Sequence, residues 1–403
     1  MVMPRGRSER SADVVVVGGG IVGLSIAWRA AQTGRSALVI DPSPAQGATF
    51  AAAGMLAPVS EFHAQEAHLL PLMLASAARY PAFVKDLTMR EADAGYLRSE
   101  TMLVGVDHGD RQALADLHAA HRRAGLDTEP ITTGAARTRE PLLGPRMTCA
   151  YRVGGDHQVD PRMLSARLVE GLGRGGFIRE RAIRLLHGDP SDRQSRVVGV
   201  GLSDGTSIAA GEVVLANGLG AATIGALPER LALPLRAVHG DILRLSVPDA
   251  LRPLLCTTVR ALVHGESVYL VPRTDGTLVI GATQREDGRA AVSAGAVQRL
   301  LRDAQEVLPA VAELDLLEAI ARARPATPDN APLLGRVRGR DDADIAGLLV
   351  ATGFFRHGVL LAPIAADIAV GLIDGHADDR GDAFRPDRFA PEHAAVRAAE
   401  RTW

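Results

Sequence analysis

An α/β fold of two domains is predicted for this chain, one on a parallel sheet assembled from separated stretches, the other on an antiparallel sheet. Three observations predict it. Residues 13–41, DVVVVGGGIVGLSIAWRAAQTGRSALVID, read as strand, glycine turn, helix, strand and acid in unbroken succession. Two more glycine-marked strand ends follow, EVVLANG near the middle of the chain and LLVATGFFRHG toward its end. Between them lie apolar runs joined by turn signals such as Asp275-Gly276, as hairpin-connected strands require.

In the first element, residues 14–17 form a buried apolar strand, and Gly18, Gly20 and Gly23 make a GxGxxG turn. The turn opens at Ile21 and Val22 into a helix of about three turns. The glycines serve tight turning, close approach of backbone to a pyrophosphate, and close packing of helix on strand. The pyrophosphate charge then sits at the helix N-terminus. After a second strand at 36–40, Asp41 is placed to accept hydrogen bonds from ribose hydroxyls. The succession predicts a Rossmann-like dinucleotide-binding domain. An acid at that strand end suits an unphosphorylated ribose, hence FAD or NAD rather than NADP.

Residues 1–12 are polar and arginine-rich and are expected to be disordered. A small-residue run, 47–54, closed by Met55, lets backbone approach something flat and large, or packs a helix tightly on the sheet. Residues 63–85 carry helical spacing with Leu69, Leu70, Leu72, Met73 and Leu74 toward the core. A strand is expected at 101–106, an amphipathic helix at 111–124 with Leu114 and Leu117 inward, and a helix from Pro161. Asp156, His157 and Asp160 could suggest a metal site, but Asp160 before Pro161 reads as a helix-start signal, so no metal is assigned. Strands follow at 177–186, 197–202 and 207–216, then at 235–246, 259–264, 267–272 and 277–283, a helix at 294–308, a strand at 348–351 and a long apolar helix from about Gly358. The nucleotide domain is therefore discontinuous, over 1–75, 150–225 and 320–395, with 76–149 and 226–319 forming an α+β substrate domain.

With 403 residues, 47% hydrophobic, the chain can bury the cores of two domains. A net charge of −2 without a basic run excludes nucleic acid or an anionic surface as the natural partner. Lys85 is the single lysine, which argues against a Schiff-base cofactor. Isolated Cys149 and Cys256 suit a reduced, cytoplasmic protein. Arg5, Arg7 and Arg10 ahead of residues 14–28 imitate a signal peptide. The glycine fingerprint inside that run, and its shortness, argue against secretion or membrane spanning.

Five motifs in order, GATFAAAGMLAP, DHQVDP, VYLVPRTDGTLVIGAT, RARPATPDNAPLLG and VATGFFRHGVLLAP, add a resemblance. The chain resembles the D-amino-acid oxidase superfamily of FAD enzymes, most closely the glycine oxidases that serve thiazole synthesis for thiamine. The resemblance implies oxidation of an amine alpha to a carboxylate by hydride transfer to flavin N5, giving an imine, with O2 reduced to H2O2. It implies that Arg324 binds the substrate carboxylate, a role suited to a planar bidentate cation, with Tyr269 adding its hydroxyl. Met55 would line the pocket over the flavin, and Arg356 would sit near the ring or the substrate entrance. Gly18, Gly20, Ile21, Val22, Gly23, Asp41, Thr49, Ala51, Ala52, Ala53, Gly54, Met55, Ile183, Ala216, Asn217, Gly218, Arg324, Gly353, Arg356, His357, Gly358 and Val359 would hold the cofactor. Ala51 stands where relatives with histidine-linked flavin carry the histidine, so non-covalent FAD is expected. A homo-oligomer, tetramer or dimer, is also implied.

Departures from the pattern bear on substrate. Ser267 replaces a frequent histidine, Gln284 a common methionine, RARPAT the typical GLRPGT, and GFFRHG the usual GHFRNG, introducing Arg322, Ala326, Phe354 and His357. If Gln284 faces the pocket, a buried amide without a partner costs about 1 to 3 kcal/mol, and the substrate is more polar or larger than glycine. Three alternatives stand beside the glycine-oxidase expectation. One is a flavin-dependent amino-acid dehydrogenase with another electron acceptor, and another an oxidase of a larger, more polar amino acid. The third is a redox-inactive flavin-binding partner protein, against which intact Arg324 and Tyr269 speak.

Overall fold

The computed structural model describes residues 10–88, 93–340, 343–376 and 378–390. The chain forms two compact units: Met1–Thr49, Ser165–Ala237 and Arg324–Trp403 make the first, Phe50–Leu164 and Val238–Ala323 the second. The boundary expected at residue 75 thus falls at Thr49, and the one expected at 150 falls at Leu164. The reason is strand pairing. Met55–Leu56 and Tyr96–Leu97 both pair with His157–Val159 in a small antiparallel sheet of the second unit. Apolar periodicity cannot tell which sheet a two-residue strand joins.

In the first unit, Arg10–Val17 pairs in parallel with Ala37–Ile40 on one side and Ser207–Leu215 on the other. Phe177–Ile178 and Asp344–Thr352 extend the parallel set outward. Val14, Val15 and Val16 are fully buried, as expected of a strand covered on both faces, which reads as a continuous apolar run. The helices Ile21–Gln32 and Gly358–Ile373 pack against one another and are tied by Arg29 and Asp367 at 3.0 Å. Ala182–His187, Val197–Leu202 and Leu333–Arg338 add antiparallel strands.

Three expectations need correction here. Residues 10–12 belong to the first strand, because their backbone pairs with 208–210; the rest of the expected disorder, 1–9, lies outside the described residues. The single strand expected at 177–186 is two, Phe177–Ile178 and Ala182–His187, separated by the polar run 179–181. Leu74 is 39% exposed, since the helix Leu70–Leu87 buries Leu72, Met73, Ser76, Tyr80 and Phe83 instead.

The second unit has an eight-stranded sheet in the order Asp315–Ala326, Arg236–Ser246, Thr277–Gly281, Glu266–Pro272, Thr258–Val263, Thr101–Gly105, Cys149–Val153, Glu129–Ile131. It is mixed: Thr258–Val263 and Thr101–Gly105 run parallel. The strand Asp315–Ala326 escaped sequence reading because arginines and a proline interrupt its apolar pattern. The helix His108–Arg123 starts earlier than expected, at a reciprocal capping box between Asp107 and Asp110. Among the described residues, no helix is long and apolar enough to cross a membrane.

His121, on that helix, is fully buried 6.0 Å from the Phe62 ring. Burial, helped by the nearby charge of His118, pushes its imidazole down to about 4. The unfolded chain therefore binds more protons between about pH 6.5 and 4, so this group removes stability as pH falls through that window. We expect the stability difference between His121→Phe and the parent to move in the variant's favour by up to about 3 kcal/mol between pH 7 and pH 4. Urea unfolding across that range measures it.

Candidate functional site

In the first unit the predicted cofactor residues gather at the carboxyl ends of the parallel strands, where such sheets bind ligands. Gly18 adopts φ +107°, and a Cβ there would lie 2.5 Å from Asn217 Cα. A Cβ on Gly23 would overlap the carbonyl oxygen of Gly18 and sit 3.2 Å from Ala216 Cβ. These two glycines therefore serve contacts within the protein. Gly20 is different: a Cβ there would meet only Thr49 Oγ1, at 3.5 Å. Thr49 Oγ1 accepts from Ile21 N–H at 2.9 Å, which orders the loop around the helix start. Gly20 is the N-cap without a side-chain bond, and no acid stands in the first turn. Val22 follows it, buried, in that turn.

Asp41 braces this loop. One carboxylate oxygen accepts from Gly19 N–H at 2.6 Å and the other from Ser43 N–H at 2.7 Å. We expect Asp41→Ala to weaken FAD binding about tenfold or more, on the scale of one hydrogen bond to a charged group, at about 1.5 to 3 kcal/mol. Titration of the apoprotein with FAD, followed by flavin fluorescence, measures it.

The other strand ends converge on the same place within the first unit. Thr352 Oγ1 donates to Gly218 O at 3.0 Å, and a Cβ on Gly218 would be 3.7 Å from Pro325. Phe355 N–H donates to Pro325 O at 2.8 Å, and Ala326 bridges Phe354. Arg324, next to Pro325, is thereby set beside the loop 353–357. Gly353 has φ +74° with Thr327 Cγ2 2.6 Å from where a Cβ would be, and Phe355 takes φ +47°, rare for an aromatic residue. Arg356 lies over the Phe355 ring at 5.1 Å. His357 is the buried N-cap of the helix that starts at Gly358 and Val359, its carbonyl accepting from Leu361 N–H at 2.8 Å. Ile183 stands apart from these: its side chain is 44% exposed on the strand Ala182–His187, and its carbonyl accepts from Gly225 N–H at 2.8 Å.

FAD is the group these features imply, and the residues fit it. The outer side of the glycine loop is open at Gly20. Asn217 Oδ1, beside Gly18, is a buried acceptor without a hydrogen-bond partner among the described residues, which a hydroxyl-bearing ligand would satisfy.

The second unit holds Ala51–Met55, Tyr269 and Gln284. Ala51 and Ala53 are buried with Ile242, Val271, Val279 and Ile320, and Met55 and Tyr269 pack on the same cluster; Ala52 between them is half-buried. Gly54 has φ +69°, and a Cβ would overlap Val159 O, so backbone is brought against backbone there. Tyr269, Gly281 and Ile242 stand side by side in register across the sheet. A Cβ on Gly281 would overlap the Tyr269 hydroxyl, so the missing side chain is what lets the tyrosine lie across its neighbouring strand. Gln284 is exposed, and the expected buried amide is not realised; Thr283, buried just before it, bonds to Asp241 instead. The strand Thr277–Gly281 ends two residues short of the expected Thr283, and Gln284 lies exposed between Thr283, whose N–H donates to Asp241 O at 3.3 Å, and an isolated antiparallel bridge of Arg285 to His239.

Two arginines were missed. Arg260 bonds to Glu61 at 2.7 Å and reaches Met55 Sδ at 3.7 Å, both acid and base nearly buried. Arg273 donates to the carbonyls of Ala53 and Val159 and to Gln158, clamping the 53–55 loop. Burial lowers its guanidinium to about 10, partly offset by Asp160, so it stays charged at neutral pH. A charged residue inside an apolar strand, as in VRALV and VYLVPR, was the signal available. Asp160 caps the helix Pro161–Leu172 as expected, accepting from Arg162 N–H at 2.7 Å and Met163 N–H at 3.2 Å.

A family model described as FAD dependent oxidoreductase (DAO) matches residues 13–372. Glycine oxidase of Geobacillus kaustophilus is 31% identical over 90% of this chain and 93% of its own length. A crystal structure of glycine oxidase from that species superposes with a TM-score of 0.82 at 28% identity, covering 93% of this chain and 98% of that one. The bifunctional protein ThiO/ThiG of Synechocystis is 32% identical over 94% of this chain, which spans only 54% of that relative. The structure of iminodiacetate oxidase from Chelativorans superposes with a TM-score of 0.79 at 26% identity, covering 93% of this chain and 98% of that one.

Proposed function

This chain belongs to the DAO family of FAD-dependent oxidoreductases, and from that membership we propose that it oxidises a small amine whose nitrogen is alpha to a carboxylate. Glycine, sarcosine and small D-amino acids define the size range. The observation that carries this reading is the sheet face where Tyr269 lies across Gly281, beside Met55 and Ile320 of the strand that runs on to Arg324. The names of two solved relatives, glycine oxidase and iminodiacetate oxidase, point to the same carboxymethylamine unit.

In this reading Arg324 holds the substrate carboxylate through two parallel N–H bonds, and Tyr269 donates its hydroxyl to the same group. Met55, held by the Arg273 clamp, closes the apolar side and helps to exclude water. FAD, when bound, would supply the two-electron acceptor for oxidation of the amine to the imine, with O2 as the final oxidant giving H2O2; water separately hydrolyses the released imine to the 2-oxo acid and ammonia or amine. Backbone N–H groups at the start of Gly358–Ile373 favour negative charge in front of them. FAD is held non-covalently, since Ala51 offers no linking atom and Cys149 and Cys256 lie outside the C-terminal motif. We place the enzyme in the cytoplasm as a homo-oligomer, dimer or tetramer, which size-exclusion with light scattering tests.

Anaerobic titration of the yellow protein with glycine, sarcosine, D-alanine and D-proline tests the activity. Bleaching of the visible flavin band by one of them, then peroxide on admitting air, is expected. A protein that carries FAD and is bleached by no amine, mono- or dicarboxylic, overturns the reading. Bleaching without peroxide replaces the oxidase with a dehydrogenase.

A further inference from the structure

We propose that the preferred substrate carries a second carboxylate and that Arg322 receives it, an inference that rests on Arg324 as the partner of the first. The strand Asp315–Ala326 alternates its side chains between the two faces of the sheet. Two contacts identify the faces. Glu318 accepts from Arg162 at 2.6 Å and lies 3.5 Å from Arg244 Nε, and Ile320 packs with Ile242 in the cluster on which Tyr269 and Met55 rest. Arg244 and Ile242 themselves share one face of their own strand, as residues two apart must. Even-numbered positions of Asp315–Ala326 therefore point to the Tyr269 side. The same alternation carries Arg322 and Arg324 onto that side in succession, with about 7 Å between their Cα atoms.

One carboxylate needs one guanidinium. A second guanidinium at this spacing adds a second donor fork to the face that carries Tyr269, and a substrate with two carboxylates engages both guanidinium groups where a monocarboxylate engages one. Arg322 is half-buried and its Nη1 donates to the Ala321 carbonyl at 2.9 Å, which holds the guanidinium close to its own strand. Ser267, two residues before Tyr269 and therefore on the same face of its strand, is small, polar and exposed. The chemical class is a short amine with two carboxylates: an N-carboxymethyl amino acid such as iminodiacetate, or an amino acid with a side-chain acid such as D-aspartate. Sarcosine and iminodiacetate differ at one nitrogen substituent, methyl against carboxymethyl, and so isolate the second charge.

The test uses the FAD-loaded full chain. The kcat/KM ratio of iminodiacetate to sarcosine, and of D-aspartate to D-alanine, is measured from peroxide release. At least one ratio is expected to exceed about tenfold, to collapse toward one in Arg322→Leu, and to be partly restored in Arg322→Lys. Calorimetry with malonate and acetate gives a reading independent of turnover, malonate binding at least about tenfold tighter to the parent and losing that advantage in Arg322→Leu. Parent ratios near one, with malonate no tighter than acetate, overturn the inference while glycine oxidation stands. Ratios that survive in Arg322→Leu overturn the assignment to Arg322. If no amine is oxidised and Arg324→Met leaves acetate binding untouched, the amino-acid-oxidase reading itself fails.

Discussion

Arg324→Met is expected to lower kcat/KM for every amino-acid substrate by roughly two to four orders of magnitude while FAD remains bound. In the proposed role the substitution would remove two charge-assisted hydrogen bonds to the substrate carboxylate, each on the order of 1.5 to 3 kcal/mol, and every 1.4 kcal/mol is tenfold. The loss is expected mainly in KM, with a smaller fall in kcat as the alpha carbon loses its alignment. Arg324→Lys restores the charge without the planar fork and is expected to recover only part of the activity. The backbone here is held by Phe355 N–H to Pro325 O and by the Ala326–Phe354 bridge, which no side-chain change removes, so the loop should keep its shape. Steady-state peroxide assays with glycine and sarcosine, beside the flavin-to-protein absorbance ratio, measure both effects. A variant with unchanged KM would remove Arg324 from substrate binding.

Gly23→Ala is expected to yield protein that is purified without bound FAD and melts at lower temperature. The added methyl group would overlap the carbonyl oxygen of Gly18 and press on Ala216, both of them parts of the strand ends. Neither neighbour is a flexible side-chain tip, so the helix Ile21–Gln32 must move outward from the sheet. Overpacking of this kind costs about 1 to 3 kcal/mol, and the shift also carries the first-turn N–H groups away from where a pyrophosphate would sit. Gly20→Ala is the instructive comparison. Its methyl group meets only Thr49 Oγ1 at 3.5 Å, so the fold should tolerate it and the loss should fall on cofactor affinity. Thermal unfolding and FAD titration of the two variants separate packing from binding; equal melting temperatures would contradict the assignment.

The nucleotide-binding unit was legible because its signals are local. Strand, glycine turn, helix and acid follow one another within a short stretch, and the steric demands that select glycine at 18 and 23 act between residues close in sequence or at a matching strand end. The strand Asp315–Ala326 was not legible, because an edge strand bearing Arg322, Arg324 and Pro325 shows neither apolar alternation nor a continuous apolar run. Gln284 illustrates the same limit from the other side. Its amide would be buried only if it faced the pocket, and it lies exposed between Thr283 and Arg285, both of which keep backbone bonds to the neighbouring strand.

The order of residues alone specifies the cofactor-binding half and the discontinuous arrangement of its pieces; Tyr269 and Arg324 as partners of a carboxylate are what the resemblance of their motifs implies. The folded chain adds how Tyr269 lies, that Gly281 clears its path, that Arg273 clamps the Ala53–Gly54 backbone, and that Arg260 joins Glu61 beside Met55. Separation along the chain makes the difference. A glycine turn reports on its own neighbours, but a buried guanidinium needs carbonyls and carboxylates some hundred to two hundred residues away, and only the paired strands bring them within hydrogen-bond reach.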